Sequence, residues 1–295
     1  MLPNFIGIGA PKAGTTWLFR CLSEHPDVFI AARKETNFFD YATIDGRMDE
    51  YEEHFVGART ARAIGEVSTR YLTSTRAPER IKQYIPNARL FVSLRNPVEQ
   101  VYSHYWHLSR QNFHQWDGDK VPRTFEEALD RFESRLLESS LYHSHLQRWL
   151  THFDRSQLHI VFYDDIREQP DNVLKRLFEF IGIDPGFRAP STNVNGAAVR
   201  RGTSPRSATL GALHSVVYGN LNRRIYHPLK RVVGPRVAEE LKNRLHVREI
   251  MESLFHRKGY PAMRLQTRTQ LRSRFEQEIR GLEDLTNRDL NAWRN

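Results

Sequence analysis

Pro3-Asn-Phe-Ile-Gly-Ile-Gly-Ala-Pro-Lys-Ala-Gly-Thr-Thr-Trp17 is the stretch whose reading decides the fold. Phe5 to Ile8 form a short apolar run rich in β-formers, suited to a central parallel strand covered on both faces. A turn follows at once. Gly9 and Gly14 bracket it and allow backbone angles and close approach that a Cβ would forbid, while Pro11 stiffens the segment between them. Thr15, Thr16, Trp17, Leu18, Phe19, Leu22 and His25 then continue as a helix. Its first N–H groups and positive dipole end face whatever sits in the loop. The stretch therefore reads as a phosphate cradle, its alternative being an ordinary strand-turn-helix with a solvated lysine.

The spacing Gly9-x-x-Lys12-x-Gly14-Thr15-Thr16 is close to a Walker A loop, but Lys12 lies inside the glycine bracket instead of directly after the second glycine. In a nucleotide triphosphatase that Lys reaches the β- and γ-phosphates and the next hydroxyl holds magnesium. Two residues earlier, the ammonium points elsewhere. The arrangement resembles the 5′-phosphosulfate loop of sulfotransferases that use 3′-phosphoadenosine 5′-phosphosulfate (PAPS). That resemblance implies cofactor contacts from Lys12, Ala13, Gly14, Thr15, Thr16 and Trp17, with no metal required.

Lys34-Glu-Thr-Asn-Phe-Phe39, before Asp40, resembles the Lys-Glu-x-x-Phe-Phe segment of heparan-sulfate-type and related bacterial sulfotransferases. In that family the glutamate is the proposed general base toward the acceptor hydroxyl. The resemblance thus implies catalytic roles for Glu35 and Lys12, with Lys34 near the substrate. A carboxylate beside a lysine keeps a low pKa unless desolvated, and aromatic neighbours can supply desolvation. From the residues alone, Lys34 and Glu35 also read as a surface ion pair of little worth.

Ala63-Ile-Gly-Glu-Val-Ser68 reads as a second strand, and because ligands gather at the carboxyl ends of parallel strands, Glu66, Ser68 and Tyr71 are candidates for lining the site or for packing. Arg89 to Leu94 is a third strand, running into Arg95-Asn-Pro-Val-Glu-Gln-Val-Tyr-Ser103. This resembles the family's 3′-phosphate motif, an Arg leaving the strand and a Ser eight residues later. Pro97 suits a first helical turn, Arg95 offers a planar fork to an oxyanion, and Ser103 lies two turns along.

His104 to Trp116 is dense in aromatics and hydrogen bonders, suited to sugar or aryl stacking as well as to a half-buried helix, and places His104 and His107 near a substrate. Phe125 to Leu137, Leu141 to Phe153 and Asn172 to Ile181 read as helices. Leu158 to Tyr163 is a fourth strand, ending in Asp164-Asp165, a pair that keeps a Walker B comparison and a kinase reading alive. Alternation of four strands with helices predicts a three-layer α/β fold with a central parallel sheet. Near the end, Lys258-Gly259 partly resembles the family's late loop over the 3′-phosphate, although Tyr260-Pro261 replaces the usual sequel. Arg200 and Arg201 compete for that role.

With 295 residues, the chain reads as a single sulfotransferase domain spanning 1–295, with a mobile basic loop at about 187–206 and a helical tail at about 267–295. Cys21 is the sole cysteine, which excludes an internal disulfide framework. No run approaches the twenty apolar residues that span a bilayer, so the expectation is a cytoplasmic protein, with peripheral membrane contact left open. Residues 200–258 carry thirteen Lys and Arg against four Glu, an excess equal to the whole net charge of +9. Such a segment can serve anionic ligands, but no nucleic-acid motif accompanies it. The resemblance implies sulfuryl transfer from PAPS, leaving 3′-phosphoadenosine 5′-phosphate (PAP), to a carbohydrate or glycolipid hydroxyl. A kinase using ATP and magnesium and a non-catalytic nucleotide- or nucleic-acid-binding protein are the alternatives. Oligomeric state is not legible.

Overall fold

Five parallel strands lie side by side in the order β2-β3-β1-β4-β5: β1 is Phe5–Gly9, β2 Val28–Ile30, β3 Ala63–Val67, β4 Arg89–Leu94 and β5 Leu158–Phe162. The computed structural model describes residues 1–110, 122, 124–192, 203–205 and 256–295. All five residues of β1 are buried, as are all five of β3, which is why both sequences are nearly continuous apolar runs. The three-residue strand β2 at the sheet edge adds to the four strands legible in the sequence; it is too short to show an alternating pattern.

Chain order sets the location of the site. From β1 the chain moves to one side for β2 and β3, then crosses to the other for β4 and β5. In register, Phe5 lies between Gly65 and Arg89, so β1 is flanked by β3 and β4. The carboxyl ends of β1, β3 and β4 thus converge where the winding direction reverses, the usual ligand crevice of open α/β sheets.

Helices in chain order are α1 Thr15–Ser23, α2 Met48–Glu52, α3 Ala77–Tyr84, α4 Pro97–Arg110, α5 Phe125–Leu137, α6 Tyr142–Leu150, α7 Tyr163–Glu168, α8 Pro170–Ile181, α9 Leu265–Thr286 and α10 Asn291–Arg294. The α8 helix shows how locally they are specified. Pro170 occupies its first turn, Gly182 ends it at φ 83°, and Val173, Leu174, Leu177, Phe178 and Ile181 form its buried stripe. That stripe joins Phe5, Trp17, Leu18, Leu22 and Phe91 in the main core. Cys21 lies in the same core, and burial pushes its thiol up to about 12, the condition of a packing group and not of a nucleophile.

The chain divides into two units, one of Met1–Val101, Ser134–Arg200 and Leu265–Asn295 and a second of Tyr102–Glu133 and Arg201–Arg264. The sheet belongs to the first. In the second, β6 (Thr203–Pro205) pairs antiparallel with β7 (His256–Lys258), Thr203 opposite Lys258. Residues 193–202 of the expected basic loop, with Arg200 and Arg201, and the basic stretch 206–255 lie outside the described residues. Among the described residues, no helix is long and apolar enough to cross a membrane.

Candidate active site

The loop between β1 and α1 is anchored from behind by three side chains of the β4–α4 segment. Ser93 donates its hydroxyl to the Ala13 carbonyl, Arg95 donates to the Lys12 carbonyl at 3.4 Å, and Gln100 donates to the Pro11 carbonyl at 2.9 Å. Three consecutive acceptors are thereby occupied. The N–H groups of Ala13 to Thr16 lie at the N-terminus of α1, where the first amides have no acceptor within the helix. Four amide donors at a helix N-terminus, with their carbonyl counterparts tied away, favour an anion. This donor set fits the phosphate end of PAPS.

Two backbone observations sharpen the cradle. Gly14 has φ 93°, and a Cβ there would lie 2.9 Å from Ile166 Cδ1 and 3.2 Å from the Tyr163 ring, so α7 needs a glycine at this place. Lys12 adopts φ 63°, a left-handed conformation that costs a non-glycine residue about 1–3 kcal/mol. Trp17 packs in the core instead of facing the loop. Its backbone N–H donates to Gly14 O at 2.9 Å and its indole to Ser191 O at 2.9 Å.

Glu35 is held at the carboxyl end of β3. Its N–H donates to Val67 O at 2.9 Å, Lys34 Nζ lies 3.1 Å from one carboxylate oxygen, and Thr69 Oγ1 donates to the other at 3.1 Å. The side chain stays 33% exposed, open to a partner. Thr69 belongs to the turn packed on Gly9, where a Cβ would come within 2.8 Å of Leu72 Cβ, so this turn links the base of the cradle to Glu35. Glu35 itself has φ 68° and Asn37 φ 54°. Asparagine tolerates this region, whereas glutamate seldom adopts it.

Beneath this segment lies Glu66, fully buried, with four hydroxyls on its carboxylate. Tyr51 and Tyr71 donate to Oε1 at 2.7 and 3.0 Å; Thr36 and Ser68 donate to Oε2, Ser68 at 2.8 Å. Burial first, then the adjoining carboxylate, raises both tyrosine pKa values well above the ordinary range. Tyr71 is fully buried, so it supports the Glu35 segment from inside and does not face an acceptor as expected from the sequence. Arg80 completes the support, donating to the carbonyls of Phe39, Tyr41 and Ala42 at 3.1, 2.6 and 3.2 Å.

Arg95, 21% exposed, stacks 4.8 Å over the Tyr163 ring. In the second unit, Ser103 Oγ is 3.1 Å from the Tyr260 hydroxyl, Trp106 stacks on Tyr260, and Tyr102 donates to Pro261 O at 2.9 Å. The Gly259-Tyr260-Pro261 turn, with Gly259 at φ 91°, is thus fixed beside Ser103 within that unit. His104 and His107, on the part of α4 that belongs to this unit, are half-buried.

The strand-end acids have other partners. Asp165 takes a bidentate pair from Arg288 at 2.5 and 2.6 Å, and Asp164 accepts from the Trp293 indole at 2.9 Å. The feature that invited comparison with magnesium-binding kinases is therefore a clasp for the C-terminal helices. Among the described residues, no three His, Cys, Asp or Glu side chains gather as a metal site.

A family model described as "Sulfotransferase domain" matches residues 2–194, which contain the cradle, Glu35, Glu66 and Arg95. The chain belongs to the sulfotransferase family. Among its relatives, the bifunctional heparan sulfate N-deacetylase/N-sulfotransferase 2 of Homo sapiens is 32% identical over 203 residues, covering 62% of this chain and 22% of that protein. The corresponding Drosophila melanogaster enzyme is 28% identical over 216 residues, covering 62% and 20%. The chain thus spans about a fifth of the length of the curated relatives it matches. The crystal structure of a sulfotransferase from Alicyclobacillus acidocaldarius superposes with TM-score 0.66 at 23% identity, covering 100% of both chains, and shows the shared fold.

Motif spacing singles out Lys12, Gly14, Glu35 and Arg95 as candidates but gives no sign of Ser93 and Gln100, which anchor the loop. The available signal was a serine in an otherwise apolar strand and a glutamine on the apolar face of the next helix, both fully buried. Buried polar side chains are rarely left without partners.

Proposed function

We propose that this sulfotransferase-family protein moves a sulfuryl group from PAPS to a glycan acceptor. The observation that carries the reading is the set of amides at Ala13 to Thr16, backed by tied carbonyls, at the convergence of β1, β3 and β4 with Glu35. PAPS supplies an activated sulfate whose S–O bond to the 5′-phosphate breaks as the acceptor's bond to sulfur forms. Lys12 and the cradle amides offset the charge left on the phosphate oxygen, a stabilisation strongest where water is excluded. Glu35, hydrogen-bonded by Lys34 and Thr69, takes the acceptor's proton. Arg95, in the role the family resemblance implies for it, serves the 3′-phosphate.

The acceptor reading is a sugar hydroxyl. The relatives' names specify N-sulfation, which favours a glucosamine nitrogen as the second reading, and the same base serves both. Melting-temperature shifts with PAP, AMP and ATP, each with and without magnesium, test the donor half. A PAP-selective, magnesium-indifferent shift supports it, while a shift only with ATP and magnesium overturns it. Transfer from labelled PAPS to de-N-sulfated heparin, compared with its N-acetylated form, then separates nitrogen from oxygen acceptors. Labelling of neither refutes a heparin-type glycan.

A further inference from the structure

Asn37, Phe38 and Phe39 have backbone N–H groups that each end on a different hydroxyl: Asn37 donates to Ser68 Oγ at 3.1 Å, Phe38 to Thr36 Oγ1 at 3.4 Å and Phe39 to Tyr71 OH at 3.3 Å. A hydroxyl has one proton and two lone pairs. It accepts reliably from an amide only when its own proton is committed elsewhere. All three protons here are committed to one place, the Glu66 carboxylate, with Ser68 and Thr36 on Oε2 and Tyr71 on Oε1. A buried carboxylate is acceptor-only, so it fixes the direction of all three hydroxyls at once.

We propose that Glu66 is a positioning residue for Glu35. Through Ser68, Thr36 and Tyr71 it orients three lone pairs toward three consecutive amides and so holds the left-handed backbone that presents the base.

The backbone needs such a hold. Glu35 at φ 68° and Asn37 at φ 54° occupy conformations that cost non-glycine residues free energy unless the surroundings impose them. The Glu66 side chain has no solvent contact, and among the described residues its hydrogen-bond partners are four hydroxyls. A fully buried carboxyl group is retained only at a cost, which asks for a purpose beyond packing. The fourth hydroxyl supplies an internal control. Tyr51 donates to Glu66 Oε1 at 2.7 Å, but no amide of residues 37–39 donates to it. It shares the carboxylate without sharing the relay.

The inference rests on the proposed role of Glu35 as base. Its test pairs Tyr71→Phe with Tyr51→Phe, each of which deletes one hydroxyl from the same buried carboxylate. Amide hydrogen exchange reads the segment directly and needs no acceptor. Tyr71→Phe should speed exchange at residues 37–39 by tenfold or more and lower kcat by a similar factor, with KM for PAPS and the melting shift with PAP unchanged. Tyr51→Phe, at comparable loss of melting temperature, should change both rates less than threefold. Equal effects of the two variants, or exchange and kcat that follow melting temperature alone, would reduce Glu66 to a stability element and overturn the proposal. Glu66→Gln, which puts a donor among hydroxyls, should reproduce Tyr71→Phe in stronger form; if it does not fold, the tyrosine pair still decides. Failure of the underlying reading looks different: Glu35→Gln would then leave kcat unchanged even though the exchange pattern held.

Discussion

Replacing Gly14 by alanine tests the cradle at the position where backbone and packing agree. At φ 93°, an L-residue pays about 1–2 kcal/mol for the left-handed conformation. The new methyl lies 2.9 Å from Ile166 Cδ1 and 3.2 Å from Tyr163 Cδ2. The first is the mobile end of a side chain and the second a ring edge, so overpacking adds about 1–3 kcal/mol. Together these cost about 2–5 kcal/mol, which lowers the melting temperature by roughly 5–15 °C for a unit of this size. Relief of the clash turns the peptide units on either side of residue 14 and misdirects at least one phosphate-facing amide. A charge-assisted bond of about 1.5–3 kcal/mol is then lost, or about tenfold to somewhat over a hundredfold in PAP affinity. Titration calorimetry with PAP on Gly14→Ala and on Gly46→Ala provides the comparison. Gly46 also has a left-handed φ, 69°, but nothing lies within 4 Å of its would-be Cβ. It should lose only the conformational part of the stability and none of the affinity. If Gly14→Ala bound PAP within twofold of the parent while losing stability as expected, the amides at this loop would not hold the phosphate and the cradle reading would fall.

Glu35→Gln should lower turnover about a hundredfold to ten-thousandfold while leaving the PAP-induced melting shift intact, and unchanged turnover in a labelled-PAPS assay removes Glu35 as base. Arg95→Ala should weaken PAP by about tenfold or more relative to AMP in the same calorimeter; equal weakening of both ligands would refute a 3′-phosphate contact. Asp165→Asn breaks the bidentate pair with Arg288 and should cost about 1–3 kcal/mol in urea unfolding, with faster amide exchange in α10 and no change in PAP affinity. His159 is desolvated by burial and sits near Arg155 and Arg176, which bring its pKa down to about 4. The unfolded chain binds a proton below about 6.5 that the folded chain refuses, so stability falls as pH drops from about 6.5 toward 4, by no more than about 3 kcal/mol. His159→Gln should flatten that part of the urea midpoint against pH, and an unaltered slope would mean that other groups govern it.

The sheet was legible because its strands are nearly pure apolar runs, and the cradle because glycine, lysine and threonine spacing is itself a statement about backbone geometry. Less of the site's support could be read. Glu66 looks like one of several polar residues at a strand end, and only the arrival of Thr36 from 30 residues and Tyr51 from 15 residues away turns it into a buried hub. The left-handed angles of Lys12 and Glu35 are equally silent, since lysine and glutamate seldom adopt them and tertiary contacts impose them. Tyr71 shows the opposite failure: its place at a ligand-rich strand end suggested contact with an acceptor, while its hydroxyl is drawn inward by the carboxylate. Asp164 and Asp165 mimic a nucleotide-binding element in sequence alone, because the residues that claim them lie more than a hundred positions later.

That clasp has a consequence for the order in which the molecule can be completed. Asp164 and Asp165 directly follow the sheet's last strand, yet Trp293 and Arg288 come 129 and 123 residues after them. During synthesis, the first unit emerges with its strands in hand and two carboxylates unanswered until residues 288 and 293 have followed. Nascent chains stalled before residue 288 would hold an assembled sheet with an open flank, and shortening by even a few residues from position 293 would recreate that open state permanently. Any label or cleavage site introduced beside Trp293 therefore adjoins a structural seam, where a flexible spacer is needed to leave its indole its seat on Asp164.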